Sequence, residues 1–320
     1  KAEHVEAPGK DIARLFLAAH FFYLGNALYE QEDFESSIKA YSISLELDEY
    51  AGAYYNRGLA YAKLGEHDRA IEDYDKAVEL NKDYAEAYNN RGNAYAELGE
   101  HKRAIKDYNK AIKLNPDDAE AYNNRGNAYA ELGEYDRAIK DYNKAIELNP
   151  NLAKAYNNRG LGYAELGEHD RAIEDYDKAI ELNKDYAEAY NNRGIAYAKL
   201  GEYGRAIKDF NKAIKLNPDL AEAYNNRGFV YAGLGEHDRA REDMLRAGNL
   251  FTNERRIEYA IRTCGWILGL GEESERVIAG HIRLLHSYIS GSDSANDIKE
   301  RLNEKGYMEE EVLRNAVERL

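Results

Sequence analysis

Apolar residues recur along most of this chain at the spacing of an amphipathic helix. Tyr54, Gly58 and Tyr61 lie at i, i+4 and i+7, and residues 68–80 carry a second run with the same period. Gly65 stands between the two runs, and glycine can end a helix without a steric penalty because it has no Cβ. The pattern therefore predicts two short antiparallel helices joined by a tight turn.

This helix pair is repeated along the chain. The strings Asn-Arg-Gly and Leu-Gly-Glu each recur with a spacing of 34 residues. An earlier, diverged repeat fits residues 18–50, where Gly25 takes the place of Gly58. The chain is therefore predicted to hold seven repeats, which are 18–50, 51–84, 85–118, 119–152, 153–186, 187–220 and 221–254.

The repeats resemble tetratricopeptide repeats. The resemblance rests on the 34-residue period, on the Gly–Tyr–Gly–Ala–Tyr–Ala–Pro order and on the helix–turn–helix pattern, all visible in AEAYNNRGNAYAELGEYDRAIKDYNKAIELNP at 119–150. It implies an all-α fold, a right-handed superhelical solenoid, whose concave face is lined by the first helix of each pair and holds peptides. A 35-residue RNA-reading helical repeat is disfavoured because the period differs by one residue and the chain is acidic.

Three regions are predicted from the repeat boundaries. Residues 1–17 form an N-terminal helical extension, 18–254 hold the seven repeats, and 255–320 form a C-terminal helical cap or interaction region. Residues 10–30 are predicted to be one long helix. The last predicted helix, 308–320, is amphipathic, so it either caps the solenoid, as we favour, or serves dimerisation or docking.

Small residues are placed where helices approach closely. Gly58 and its equivalents lie in mid-helix, although glycine costs about 1 kcal/mol there relative to alanine. We expect the second helix to approach at this point, with Ala70 and its equivalents as the facing small residues. Tyr54, Tyr61 and Tyr74 are then predicted to fill the core.

Charged residues also recur with the repeat. An Arg ladder (Arg57, Arg91, Arg125, Arg159, Arg193 and Arg227) occupies a position that is usually apolar in the family. An Asp ladder accompanies it (Asp73, Asp107, Asp141, Asp175, Asp209 and Asp243). In an antiparallel pair the two ladders lie nearly opposite each other, which predicts Arg–Asp bridges within or between repeats. The alternative is an Arg-lined groove for acidic ligands.

An Asn ladder supplies the candidate binding residues. Asparagine is a middling helix former, but its side chain offers the donors and the acceptor that a peptide backbone needs. The resemblance extends to the tetratricopeptide superhelix of the O-GlcNAc transferase, where Asn at this place implies a grip on peptide backbone. The other interpretation is that each Asn bonds a neighbouring helix. The ladder is Asn56, Asn90, Asn124, Asn158, Asn192 and Asn226.

Acidic residues are predicted to line the centre of the same groove. Glu97, Glu131 and Glu165 occupy one position of the first helix, between Lys63 and Lys199. Glu86, Glu120, Lys154, Glu188 and Glu222 occupy another. If both rows face the concavity, a basic peptide is the favoured partner.

Composition narrows the remaining classes. The net charge of −15 argues against nucleic acid as a partner, and the absence of a long apolar run argues against membrane insertion. The single Cys264 excludes an internal disulfide framework and a Cys-based zinc site. We expect no metal, no cofactor and no catalytic residues. A cytoplasmic location is favoured, although a secreted or periplasmic one agrees with the same composition.

The sequence thus favours a non-catalytic protein-interaction module that binds a protein or peptide segment in the concave groove. The alternative is a self-assembling scaffold or adaptor, a homo-oligomer joined through its ends or its C-terminal helices.

Overall fold

A computed structural model describes residues 8–253 of the chain. All the regular structure in this part is helical. The helices are α1 (Pro8–Glu30), α2 (Phe34–Leu47), α3 (Ala51–Lys63), α4 (His67–Leu80), α5 (Ala85–Glu97), α6 (His101–Leu114), α7 (Ala119–Glu131), α8 (Tyr135–Leu148), α9 (Ala153–Glu165), α10 (His169–Leu182), α11 (Ala187–Lys199), α12 (Tyr203–Leu216), α13 (Ala221–Gly233) and α14 (His237–Asn253).

Each repeat holds one odd-numbered helix, called the A helix below, and one even-numbered helix, called the B helix. The chain forms two compact units, which divide within α9, between Gly162 and Tyr163. In the first unit, each helix from α1 to α8 packs against the next, and the successive A helices α1, α3, α5 and α7 touch one another. In the second unit, α10 to α14 pack consecutively in the same way. Stacked helix pairs of this kind are a solenoid fold, as the sequence predicts.

The turn inside each repeat has the geometry that requires glycine. Gly65 has φ +75°, and its five equivalents have φ between +73° and +77°. Behind it, the Glu66 N–H donates to the Tyr61 carbonyl at 2.9 Å and closes the end of α3. A side chain at this φ would be strained, so the recurring Leu-Gly-Glu string marks each predicted turn correctly.

The mid-helix glycines contact an aromatic ring. A Cβ placed on Gly58 would lie 2.7 Å from Cε1 of Tyr74, and one on Gly126 would lie 2.6 Å from Cε1 of Tyr142. Tyr74 and Tyr142 are almost completely buried. The close approach of the B helix is therefore confirmed. The atoms nearest to Gly58 and Gly126 belong to the tyrosine ring. At Gly228, where Met244 replaces the ring, the carbonyl of Ala240 (the equivalent of Ala70) lies 3.3 Å from the Cβ position. The ring fills the space over the glycine, and Ala70 is a buried core residue beside it.

The first helix extends beyond the first repeat. α1 has 23 residues, whereas the other A helices have 13, and it runs without a break through the predicted boundary between residues 17 and 18. The predicted helix at 10–30 is confirmed, while the domain boundary itself stays a prediction. The predicted cap at 255–320 lies outside the described residues. No helix from 8 to 253 is both long and apolar enough to cross a bilayer.

Candidate functional site

The Arg and Asp ladders pair the two helices of a repeat. Nε and Nη2 of Arg125 donate to the carboxylate oxygens of Asp141, each at 2.6 Å. The side chains of this pair are 18% and 7% exposed. Two parallel hydrogen bonds are the strong form of an Arg–carboxylate contact. The predicted bridge is confirmed, and the same two-point contact joins Arg57 to Asp73, Arg91 to Asp107, Arg193 to Asp209 and Arg227 to Asp243.

The third nitrogen of these arginines bonds the preceding repeat. Nη1 donates to an acceptor on the previous B helix, which is Ser42 for Arg57, Asp75 for Arg91, Asn109 for Arg125 and Asn143 for Arg159. Burial opposes the charged form of Arg91, but its hydrogen bonds to Asp107 and the charges of Asp107 and Asp75 outweigh it and raise its pKa. These guanidiniums are directed at B-helix acceptors, which supports the bridge interpretation, and the alternative of an Arg-lined groove for acidic ligands stays untested.

The Asn ladder lies on a different face, where successive A helices meet. Asn56 Nδ2 donates to Asn26 Oδ1 at 2.9 Å, and Asn158 Nδ2 donates to Asn123 and Asn127 at 3.1 and 2.9 Å. The other described bonds of this kind run from Asn90 to the Tyr55 hydroxyl, from Asn124 to Asn89 and from Asn226 to Asn191. The ladder therefore joins repeats, as one of the two interpretations predicts.

This role does not use up the hydrogen-bonding capacity of a carboxamide. Each side chain has two N–H donors and a carbonyl with two lone pairs. Asn56 and Asn90, for example, each donate one described hydrogen bond from Nδ2. Peptide binding by the same residues is compatible with the inter-repeat contacts and stays a prediction.

A second row of asparagines, which the sequence interpretation missed, lies beside the ladder. Asn93 accepts a hydrogen bond from the Tyr108 hydroxyl at 2.8 Å, and Asn127 accepts one from the Tyr142 hydroxyl at 2.9 Å. Burial raises the pKa of both tyrosines, so the hydroxyls are protonated donors at neutral pH. The sequence does contain a second asparagine position, at Asn93 and Asn127, but the residue type at this position varies between repeats, so periodicity alone does not identify it.

The two rows of asparagine meet in a cavity between α5 and α7. Its volume is about 560 Å³, and Asn93, Glu97, Asn124, Asn127 and Glu131 line it. It combines three carboxamides with two carboxylates, so it can hydrogen-bond an amide backbone and attract a cationic side chain. Two residues of the predicted acidic row are thus brought together with one of the predicted Asn ladder.

A smaller cavity lies between α1 and α3. Its volume is about 310 Å³, and Asn26, Asn56, Tyr29 and Leu59 are among its lining residues. Cavities therefore recur along the same side of the A helices in the first unit. We call this side the A-helix groove.

The second predicted acidic row contributes less negative charge than expected. Its members are Glu86, Glu120, Lys154, Glu188 and Glu222. Lys154 forms an ion pair with Glu120 of the preceding repeat, so this acid is neutralised by a neighbour. Among the predicted residues of the second unit, Asn192 lies on α11, Asn226 on α13 and Glu165 at the end of α9. The negative charge in the described cavity comes from Glu97 and Glu131.

The groove positions vary although the repeats are nearly identical. The repeat position of Asn93 is occupied by an apolar residue in four other repeats, namely Leu59, Leu161, Ile195 and Phe229. At the position of Glu97, Glu131 and Glu165, the repeats nearer the ends of the array have Lys63, Lys199 and Gly233. The Arg and Asp ladders are constant over the same six repeats. Variation is thus found at positions that line the groove.

Among the described residues, no group of three or more His, Cys, Asp or Glu side chains is placed to hold a metal ion. Hydrogen bonding and charge attraction are therefore the chemistry that this site supports.

Family models match most of the repeats. A model described as TPR repeat matches residues 25–65, 60–99, 92–133 and 162–201. Two models described as Tetratricopeptide repeat match 119–152 and 187–220, and 141–174 and 210–242. Together these matches run from residue 25 to residue 242.

Curated relatives share short stretches with the chain. The Hsp70-Hsp90 organizing protein of Triticum aestivum is 45% identical over 60 residues, which are 18% of this chain and 10% of that protein. The Hsp70-Hsp90 organizing protein 2 of Arabidopsis thaliana is 41% identical over 61 residues, 19% of this chain and 11% of that protein. The chain thus matches only a small part of these relatives' length.

Solved structures are similar over longer regions. A tetratricopeptide repeat protein from Parabacteroides merdae has a TM-score of 0.65 at 22% identity, covering 77% of this chain and 98% of that chain. The pilF protein of Pseudomonas aeruginosa has a TM-score of 0.57 at 19% identity, covering 66% and 96%. At these identities the similarity concerns the fold.

Proposed function

Because the chain belongs to the tetratricopeptide-repeat family, a family of protein-interaction modules, we propose that it binds an extended, basic protein segment in the A-helix groove without catalysing a reaction. The observation that carries this proposal is the cavity between α5 and α7, where Asn93, Asn124 and Asn127 lie with Glu97 and Glu131.

The division of labour follows from the chemistry of the lining. The carboxamides recognise the peptide C=O and N–H groups, which every sequence offers. The two carboxylates select among sequences by attracting Lys or Arg. Each net hydrogen bond contributes about 1 kcal/mol, so affinity is spread over several repeats and is not concentrated in one residue.

The apolar groove residues add a further preference. Leu59 precedes the amide-lined cavity along the chain and Leu161 follows it, each at the position of Asn93 and Asn127. Leu161 is well exposed. The proposed ligand therefore has basic residues in its centre and an apolar residue on at least one side.

This mode differs from capture of a chain end. A clamp for a peptide C-terminus needs Lys or Arg in the groove, and the described cavity has Glu97 and Glu131 instead. We expect peptides with free and amidated C-termini to bind equally well.

The experiment uses a peptide array followed by titration calorimetry with the selected peptides. The full chain is compared with Glu97→Gln combined with Glu131→Gln, and with Asn124→Ala, Asn158→Ala and Asn192→Ala combined. We expect basic peptides to be selected, the first variant to lose affinity and salt dependence, and the second to lose affinity for all peptides.

A matched control is Glu147→Gln, which removes an exposed carboxylate paired with Lys144 on the B helix α8. It should leave binding unchanged, because Glu147 is exposed and is not among the residues that line the described cavity. Equal binding by the wild type and both groove variants would contradict the proposal and make the Asn ladder purely structural.

A further inference from the structure

An exposed apolar stripe runs along α1. Phe16 is 73% exposed, Tyr23 69% and Ile12 55%, and Ala19 is exposed between them. These four residues are spaced 4, 3 and 4 apart, which is the spacing of the seam between two coiled helices. α1 packs on α2 and α3 in the described part of the chain, and neither helix covers this stripe.

The stripe lies on a face that meets another helix in later repeats. By repeat position, Tyr23 of α1 corresponds to Asn56 of α3. Asn56 reaches Asn26 on the preceding A helix, and each described Asn-ladder residue of the first unit bonds the A helix before it in the same way. One end of the stripe, at Tyr23, thus lies on the helix-contacting face of the first described A helix, and Phe16 and Ile12 continue the stripe along the part of α1 that exceeds the length of the later A helices.

We propose that a second copy of this chain covers the stripe, with the two α1 helices packed antiparallel about a twofold axis. The nine residues from Leu15 to Tyr23 contain no Asp, Glu, Lys or Arg, so no like charges meet when the stripe faces itself. A twofold contact requires one patch that is complementary to itself.

The side chains meet this requirement. With the axis midway between residues 17 and 18, Phe16 of one chain faces Ala19 of the other, and Ile12 faces Tyr23. The larger side chain of each pair thus meets a smaller one, so the two helices interdigitate without overlap. In a parallel arrangement Phe16 would face Phe16 and Ala19 would face Ala19, which leaves a bulge beside a gap.

The area is sufficient for a specific contact. Two aromatic and three aliphatic side chains on each helix, Leu15 included, remove about 500 Å² per chain and about 1,000 Å² in all, which reaches the lower limit of specific interfaces. Leu15, which is 52% exposed beside the seam, is part of this area. An interface at this lower limit is expected to be weak, so the dimer should be reversible and depend on concentration.

Sedimentation equilibrium of the full chain over a range of concentrations tests the proposal. We expect a monomer–dimer equilibrium that Phe16→Asp weakens by about thirtyfold or more, the effect of a central interface residue. The matched control is Leu17→Asp, because Leu17 is 47% exposed on the same helix but lies about 130° around it from the centre of the stripe, compared with about 70° for Leu15. This variant should dimerise like the wild type.

The register is tested by disulfide formation in a Cys264→Ser background. Chains with Phe16→Cys mixed with chains with Ala19→Cys should form a cross-linked dimer, while each variant alone should do so much less. A monomer at all concentrations, equal effects of the two Asp variants, or cross-linking of each variant only with itself would overturn the proposal. Circular dichroism confirms that the variants fold.

Discussion

The A helices have two faces that differ in how much their residues vary between repeats. On the Arg face, the Arg and Asp residues are the same in six repeats and only the acceptor of Nη1 changes. The five described Arg–Asp contacts differ by only a few tenths of an ångström. The groove face keeps one asparagine constant and changes its neighbours from Asn93 to Leu161, Ile195 and Phe229. One face has to fit the adjoining B helices in every repeat, whereas the other borders open space and is free to differ.

The difference shows where structural and binding roles separate. A buried ion pair is costly to break because the remaining charge stays out of water, so the Arg face tolerates little change. The groove hydrogen bonds are partly open to solvent, and water can replace a lost partner there. Three variants, taken from the largest expected effect to the smallest, test this contrast.

The Arg face should be the more sensitive one. Asp141→Ala leaves the Arg125 guanidinium largely buried with Asn109 as its one described hydrogen-bond acceptor, and we expect a loss of about 3 kcal/mol in the free energy of unfolding. Combining it with Arg125→Leu should cost much less than the two single changes summed. Urea denaturation measures the cycle.

The control cycle uses Glu134→Ala and Arg137→Leu. This ion pair lies in the same repeat, but both side chains are well exposed, so its coupling should be about 0.5 kcal/mol or less. Simple additivity in the Arg125–Asp141 cycle would contradict the structural role of the Arg face.

The contact between the mid-helix glycine and the buried aromatic ring should have an intermediate effect on stability. Gly126→Ala places a methyl group 2.6 Å from the buried Tyr142 ring, and we expect a loss of about 2 kcal/mol although alanine is the better helix former. Thermal unfolding measures it against Gly204→Ala on α12, where a Cβ meets nothing within 4 Å. The control should be neutral or stabilising, and equal effects would argue against the glycine–ring contact.

The groove face should be the most tolerant. Asn127→Leu introduces a residue that other repeats already have, and it removes the acceptor of the Tyr142 hydroxyl, so we expect a loss of about 1 kcal/mol. Adding Tyr142→Phe should restore part of it, since the repeat with Ile195 has Phe210 at the tyrosine position. Denaturant titration gives the stabilities, and a loss larger than that of Asp141→Ala would reverse the contrast.

Most of the fold was predictable because each local signal has one physical cause. A glycine at Gly65 and its equivalents predicts the turns, and the helical period predicts the helices between them. The Arg–Asp bridge was predictable because two ladders with the same period had to lie opposite each other. The candidate site was predictable only in part. Most repeats have an apolar residue at the position of Asn93 and Asn127, so a search for recurring residues does not find these two asparagines.

The sequence by itself determined the repeat, its two helices, its turns and its charge pairs, because these depend on contacts within about one repeat length. Only the tertiary structure decided three other matters: that a tyrosine ring lies nearest to Gly58, that Lys154 neutralises Glu120, and that no described residue covers the Phe16 stripe. Each of these depends on how the side chains of neighbouring helices pack against one another. The hydrophobic period of one helix shows which face a residue lies on, but it does not show which side chain packs against it.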